Sequence, residues 1–472
     1  MTSIALSAAV TTDPLCNILL NVDSYKASHP YQYPPETTHI YSYIESRGGK
    51  WDRAVFFGLQ MFLKEYLIKP ITQAMIDDAE SFWQAHGEPF YREGWQHILD
   101  AHQGYLPVKI CAVPEGSIIP TGNVMLSVIN TDPKCFWLTS ALETALLRAV
   151  WYPTTVATNS WQCKQVIAKY LDQTSDDVGQ IAFKLHDFGA RGVSSLESAA
   201  IGGVAHLVNF MGTDTVSGVL AARKYYGEEM AGFSIPAAEH STMTSWGRDH
   251  EADAYRNMIR QFGGAGKLVA VVSDSYDLYH AVDHIWGEEL RQEVIDSGAT
   301  IVVRPDSGDP ATVPVDCVIR LGEKFGYSTN AKGYRVLAPC VRVIQGDGIN
   351  IDTIGAILKN LADQGWAADN IAFGMGGGLL QQLNRDTLKF AMKCSAAKVG
   401  GNWIDVYKDP VTDHGKLSKR GRLGLVLRDG VYQTVSEDEA GENTLLEPVF
   451  CNGKLLRDWT FAEIRARADK AE

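Results

Sequence analysis

The 472-residue sequence has eight cysteines, at positions 16, 111, 135, 163, 317, 340, 394 and 451, and no C-x-x-C pair among them. That excludes the common zinc and dithiol redox motifs and fits a reduced, cytoplasmic compartment. No apolar run approaches the roughly 18 residues of a spanning helix. The opening stretch MTSIALSAAVTTDP lacks the basic start and long apolar core of a signal peptide, so residues 1–15 read as a disordered leader. Positive charge is also scarce. With 43 Lys+Arg against 56 Asp+Glu, the formal net charge is −13, which argues against a broad footprint for nucleic acid or anionic membrane and makes any anion site local.

The glycine signatures of nucleotide binding are incomplete as well. The stretch NIAFGMGGGLLQQLNRD (370–386) carries Gly374, Gly376, Gly377 and Gly378, but Leu379 stands where G-x-G-x-x-G needs its third glycine, and no Gly-Lys-Ser/Thr follows. What remains is more general: glycines after a strand let backbone N–H groups approach an anion at the start of a helix.

What the chain does contain is a rhythm. From about residue 181, short apolar runs end in polar bursts and lead into helical stretches: KLHDFGARG, FMGTDTV, SIPAAEHST, VVSDSYD, VVRPDSGDP, VIQGDGI and FGMGGGLL. Continuous Val/Ile/Leu runs without alternation predict parallel strands buried on both faces. Seven or more such units predict a barrel or near-barrel whose polar bursts line one pocket at the carboxyl ends of the strands. Turn and cap chemistry accounts for any one burst, with Asp214, Asp277 and Ser241 each a candidate cap; it does not account for seven in succession carrying arginine, histidine and aspartate. The expected fold is α/β: a barrel-like parallel βα domain over 151–394, and a mixed α/β domain built from 16–150 and 395–472.

Guanidinium forks suit phosphate oxygens, which singles out Arg191, Arg304 and Arg385, with Arg304 placed at a strand end by Val302, Val303 and Pro305. Asp214, Asp274, Asp306 and Asp347 also end apolar runs. Carboxylates beside phosphates imply Mg²⁺ or ribose hydroxyls, so a sugar phosphate satisfies both sets. His240 reads as a satisfied polar residue, a phosphate ligand or a nucleophile toward phosphorus. His280 and His284 lack a third ligand and read as helix surface. Phe188 reads either as core or as a platform for a planar heterocycle.

Aligned in order, NVDSYKASHPYQYP, YSYIESRG, LPVKICAVPEGSIIPTGNV, WYPTTVATNS, KLHDFGARGVSS, HLVNFMGTDTVSG, SIPAAEHSTMTSWGRDH, SDSYD, VVRPDSGDP, RVIQGDGIN, AFGMGGGLLQQLNRD and VYKDPVTD resemble the nicotinamide phosphoribosyltransferases over almost the full length. The resemblance implies a type II phosphoribosyltransferase fold, a homodimer with active sites at the interface, and synthesis of nicotinamide mononucleotide and pyrophosphate from nicotinamide and phosphoribosyl pyrophosphate, in salvage toward NAD. It also implies Mg²⁺ on the pyrophosphate and ATP coupled through a phosphohistidine at His240. By position in the motifs, Phe188 and Tyr25 of the partner subunit would sandwich the pyridine, and Asp214 would accept from the carboxamide. Arg304 and Asp306 would hold phosphate and ribose, Gly346 and Asp347 the ribose side. Gly376, Gly377 and Arg385 would take the nucleotide phosphate, and Arg191 and His240 the pyrophosphate. Asp274, Arg342, Lys393, Lys408, Lys416 and Arg47 of the partner subunit would complete the anion site; the resemblance leaves the metal ligands unassigned. Met375, Ala190 and a short loop after Arg47 depart from the pattern. The alternatives are a nicotinate phosphoribosyltransferase, against which Asp214 speaks, and a non-catalytic nucleotide-binding protein, which the complete charged set disfavours.

Overall fold

The computed structural model describes residues 14–408 and 418–470. The expected leader lies outside these residues except at its end, where Pro14–Cys16 form a 3-10 turn. The chain separates into two compact units, one running through Thr155 and resuming over Arg385–Lys470, the other spanning Val156–Asn384.

The first unit is built on a seven-stranded antiparallel sheet. Its long strand Thr37–Ser46 lies between Phe390–Val399 and Val124–Asn130. Ile40, Tyr41, Tyr43 and Ile44 fill the middle of that strand, and seven consecutive residues from Ile40 to Ser46 are buried. The hairpin from Phe390–Val399 to Asn402–Asp405 turns on Gly400 and Gly401, at φ +56° and +81°. Two successive left-handed residues form the turn whose twist matches paired strands.

The second unit holds the expected parallel sheet. Its strands are β1 (Leu185–Asp187), β2 (Gly212–Thr213), β3 (Leu268–Val272), β4 (Thr300–Arg304), β5 (Val341–Gln345) and β6 (Ile371–Met375), paired in the order β2-β1-β6-β5-β4-β3 with every pair parallel. Their middle residues are mostly buried, as continuous apolar runs covered on both faces require.

The two edges meet through the SIPAAEHST burst, which forms no strand of its own. Phe233 bridges to Gly212 of β2, and Ala237 to Ala270 of β3. The main-chain bonds are Thr213 N–H to Phe233 O at 3.0 Å and Ala238 N–H to Ala270 O at 2.9 Å. With this segment counted, seven consecutive units curl into a ring. Ala270, Val302 and Ile344 form its interior cluster, and Phe188, Ile235 and Ala372 pack against it. The barrel-like expectation is met, although β2 is only two residues long.

Candidate functional site

Six of the polar bursts follow a barrel strand and the seventh follows the closing segment, so these ends form one crown. Phe188 immediately follows β1, and its N–H donates to Met375 O at 3.0 Å. The half-buried ring lies against β6: a Cβ on Gly374 would fall 1.9 Å from Phe188 Cε2, and one on Gly346 would fall 3.3 Å from the same atom. Only glycine at 374 leaves room for the ring. Gly346 also lies against the Asp306 carboxylate, so aromatic ring, glycine and acid are contiguous.

Asp214 follows β2 and is exposed. It does not cap the following helix Val216–Tyr226; its carboxylate accepts from the Ser234 hydroxyl of the closing segment. Asp277, in contrast, is a cap, accepting from His280 N–H at 3.0 Å. Beneath Asp214 lies Asp187, fully buried. One carboxylate oxygen accepts from Gly189 N–H at 2.7 Å, and the other is buried without a partner. Burial, with Asp214 adding like charge, pushes the Asp187 carboxyl up to about 6.

The opposite arc carries the charged cluster. His240 Nε2 lies 2.9 Å from Asp274 Oδ1, and His240 Nδ1 lies 3.9 Å from Asp306 Oδ2. Asp274 is almost fully buried, and its second oxygen accepts from Asp306 N–H at 3.1 Å and Ser307 Oγ at 2.5 Å. One carboxylate therefore aligns the histidine and fixes the turn after β4. Arg304 Nη2 stands 4.0 Å from Asp306 Oδ2, and its buried Nε has no hydrogen-bond partner. Burial raises the Asp306 carboxyl, Arg304 opposes that, and the Asp274 and Asp347 charges add to it.

The glycine cluster closes the crown. Gly376 precedes the short helix Gly377–Leu380, and a Cβ on Gly377 would meet open space. A Cβ on Gly192 would come within 3.5 Å of the Gly377 main chain, which sets the exposed Arg191 turn beside the glycines. Asn159 Nδ2 donates to Gly378 O at 3.0 Å and holds the turn from behind. Asp347 is exposed after β5, its carbonyl taken by Gln345 Nε2 at 3.0 Å.

Arg342 does not join this crown, and the expectation for it is corrected. Its guanidinium donates to the carbonyls of Leu337, Ala338 and Val341, at the start of β5. Sequence reasoning singled out neither Ser234 nor Ser307, although both stand inside quoted bursts, nor Asp187, whose burial no local pattern reveals.

The remaining expected residues belong to the first unit. Tyr25 is exposed on the 3-10 helix Ser24–Tyr31, edge-on to His29 at 5.2 Å. Arg47 Nε bonds Glu45 at 3.0 Å, leaving Nη2 buried without a partner. Burial lowers the Lys393 ammonium; Glu143 opposes this, while the charges of Arg47, Lys408 and Arg385 add to it. These four cations therefore share one neighbourhood. Arg385 itself pairs with Asp386 at 3.1 Å. Lys416 lies outside the described residues.

The nicotinate phosphoribosyltransferase (NAPRTase) family profile matches residues 183–454, and the nicotinamide phosphoribosyltransferase N-terminal domain profile matches residues 17–110. A nicotinamide phosphoribosyltransferase of Xanthomonas campestris pv. campestris is 59% identical over 466 residues, covering 97% of this chain and 99% of the relative. One of Acinetobacter baylyi is 34% identical over 497 residues, covering 96% and 97%. Among solved structures, Pyrococcus furiosus nicotinate-nucleotide pyrophosphorylase superposes with a TM-score of 0.62 at 16% identity, covering 99% of this chain and 97% of that one. Human nicotinic acid phosphoribosyltransferase gives 0.57 at 17%, covering 95% and 92%. These two likenesses concern the fold, that of the type II phosphoribosyltransferases. Identity sustained from end to end, over a barrel whose strand ends carry the charged crown, places this chain in the nicotinate phosphoribosyltransferase family, among the nicotinamide phosphoribosyltransferases.

Proposed function

We propose that this protein transfers the phosphoribosyl group of phosphoribosyl pyrophosphate to nicotinamide, giving nicotinamide mononucleotide and pyrophosphate in NAD salvage. The observation that carries the reading is the pairing of Phe188, packed against Gly374, with the Ser234-held carboxylate of Asp214 in one barrel mouth. The ring offers a face to a pyridine, and the carboxylate an acceptor to a carboxamide N–H₂. The pyridine nitrogen attacks the anomeric carbon as the bond to the pyrophosphate oxygen breaks, the electron pair leaving with pyrophosphate. A neutral pyridine needs no general base, so the protein's work is positioning and charge stabilisation.

In this reading Arg304 and Asp306 hold the phosphate and ribose, Gly346 and Asp347 the ribose side, and Gly376 and Gly377 the nucleotide phosphate; Arg191 and His240 face the pyrophosphate. The carboxylates of Asp306 and Asp347 at the strand ends offer oxygen ligands of the kind a hard divalent cation takes. Mg²⁺ held there would neutralise charge on the leaving pyrophosphate.

His240 is the proposed phosphate acceptor from ATP. With Nε2–H donated to Asp274, Nδ1 is left as the free nitrogen lone pair. Arg385 is the charged partner of Gly376 and Gly377 at the nucleotide phosphate, Lys393 and Lys408 add to the anion site, and a homodimer would bring Tyr25 and Arg47 of the partner subunit to the barrel. Eight free cysteines accord with a cytoplasmic setting.

Purified protein with Mg²⁺, phosphoribosyl pyrophosphate and nicotinamide is expected to form nicotinamide mononucleotide and pyrophosphate in equal amounts; absence of product would overturn the assignment. His240→Ala is expected to keep basal turnover and lose stimulation by ATP. Stimulation equal to that of the parent would remove the phosphohistidine role.

A further inference from the structure

In the first unit, four metal-binding side chains converge. The Nε2 atoms of His97 and His102 each lie 2.7 Å from Oδ2 of Asp132, and with Cys135 Sγ the four ligand atoms lie within 4.8 Å of one another. We propose that His97, His102, Asp132 and Cys135 form a structural site for a tetrahedral transition-metal ion, zinc by preference.

The fold prepares each ligand. His97 lies within the helix Arg92–His102 and His102 is its last residue, after which Gln103 and Gly104, at φ +55° and +82°, turn the chain away. Asp132 caps the 3-10 turn Pro133–Cys135 with one oxygen, accepting from Lys134 N–H at 2.8 Å, so its other oxygen is the one facing both histidines. Asn130 fixes the turn by donating to Asp132 O at 2.8 Å. Cys135 is fully buried, whereas the two imidazoles and the carboxylate are partly exposed, leaving an entry path.

The donor set selects the metal. One thiolate, two imidazoles and one carboxylate make four protein ligands of the borderline-soft type that zinc takes, and a full set of four marks a structural site with no open position. Hydrogen-bonded contacts of 2.7 Å open to roughly 3.3 Å around a tetrahedral ion, and the thiol proton leaves on binding. A hydrogen-bonded lock of two histidines on one aspartate would have no use for a sulfur beside it. The ion would clip the helix to the turn that leads into the long helix Leu138–Thr174.

The test uses the full-length protein, stripped with chelator and titrated with Co²⁺. One equivalent is expected to produce tetrahedral d–d bands and a thiolate-to-cobalt charge-transfer band, both removed by Zn²⁺, and Zn²⁺ is expected to raise the melting temperature. Cys135→Ser should abolish the charge-transfer band, and Cys16→Ser should keep it. His102→Gln, which retains the thiol, should weaken Zn²⁺ by more than the roughly 10- to 100-fold that loss of an outer-shell partner costs. No saturable binding at one equivalent, or a thiolate band that survives Cys135→Ser, would overturn the site and leave only a hydrogen-bonded lock.

Discussion

A carboxylate at a strand end meets the amide of nicotinamide as an acceptor and the carboxylate of nicotinate as a like charge, so a single residue can set substrate preference. Asp214, held by Ser234, is the residue proposed for that role. Its neighbour Asp187 sets a different property, the response of stability to pH. Burial raises the Asp187 carboxyl from 3.8 to about 6 in the folded protein. The folded state therefore binds the proton more tightly than the unfolded chain, and the associated stability is present below pH 4 and lost as pH rises through 6. The span corresponds to roughly 3 kcal/mol. Asp187→Asn keeps an oxygen for Gly189 N–H and has no charge to lose. Urea denaturation should show it gaining on the parent by up to roughly 3 kcal/mol between pH 4 and pH 7. A difference that does not change with pH would refute the buried acid.

At the scale of elements, the two ends of the barrel strands do different work. Gly374→Ala would drive a methyl into the Phe188 ring. It should cost about 1–3 kcal/mol in stability and raise KM for nicotinamide. Arg342→Met should also cost about 1–3 kcal/mol, by stripping donors from three carbonyls, yet leave both KM values unchanged. Thermal denaturation with steady-state kinetics separates the two, and a raised KM for phosphoribosyl pyrophosphate in Arg342→Met would return that residue to the site. The contrast also marks what the sequence makes legible. Val/Ile runs followed by Gly, Asp, Arg or His announce a parallel strand and its carboxyl end, which is why Arg304, Asp306 and Asp347 are readable in the chain. Arg342 misleads because it is close to Gly346 along the chain. Four residues of strand at ~3.3 Å each set it roughly 13 Å away, at the other end. Ser234 on Asp214 and Asp132 between two histidines are contacts across 20 to 35 residues, which no local pattern encodes. The closing segment 233–238 hides for a related reason: two bridges and a few main-chain bonds seal the ring without a strand-like run.

At the scale of the whole molecule, the net charge of −13 contrasts with two local concentrations of cations, Arg191 and Arg304 at the barrel mouth and Arg47, Arg385, Lys393 and Lys408 in the other unit. A protein so acidic overall binds polyphosphate only where arginine and lysine are gathered. The central claim is that this protein uses nicotinamide. Its most direct measurement is a competition assay with Mg²⁺, phosphoribosyl pyrophosphate and equal nicotinamide and nicotinate, run on the parent and on Asp214→Asn. The parent is expected to make nicotinamide mononucleotide in large excess. In the variant the ratio should fall by about 10- to 100-fold, the worth of one hydrogen bond to a charged group. A parent that prefers nicotinate, or a ratio unmoved by Asp214→Asn, would contradict the account.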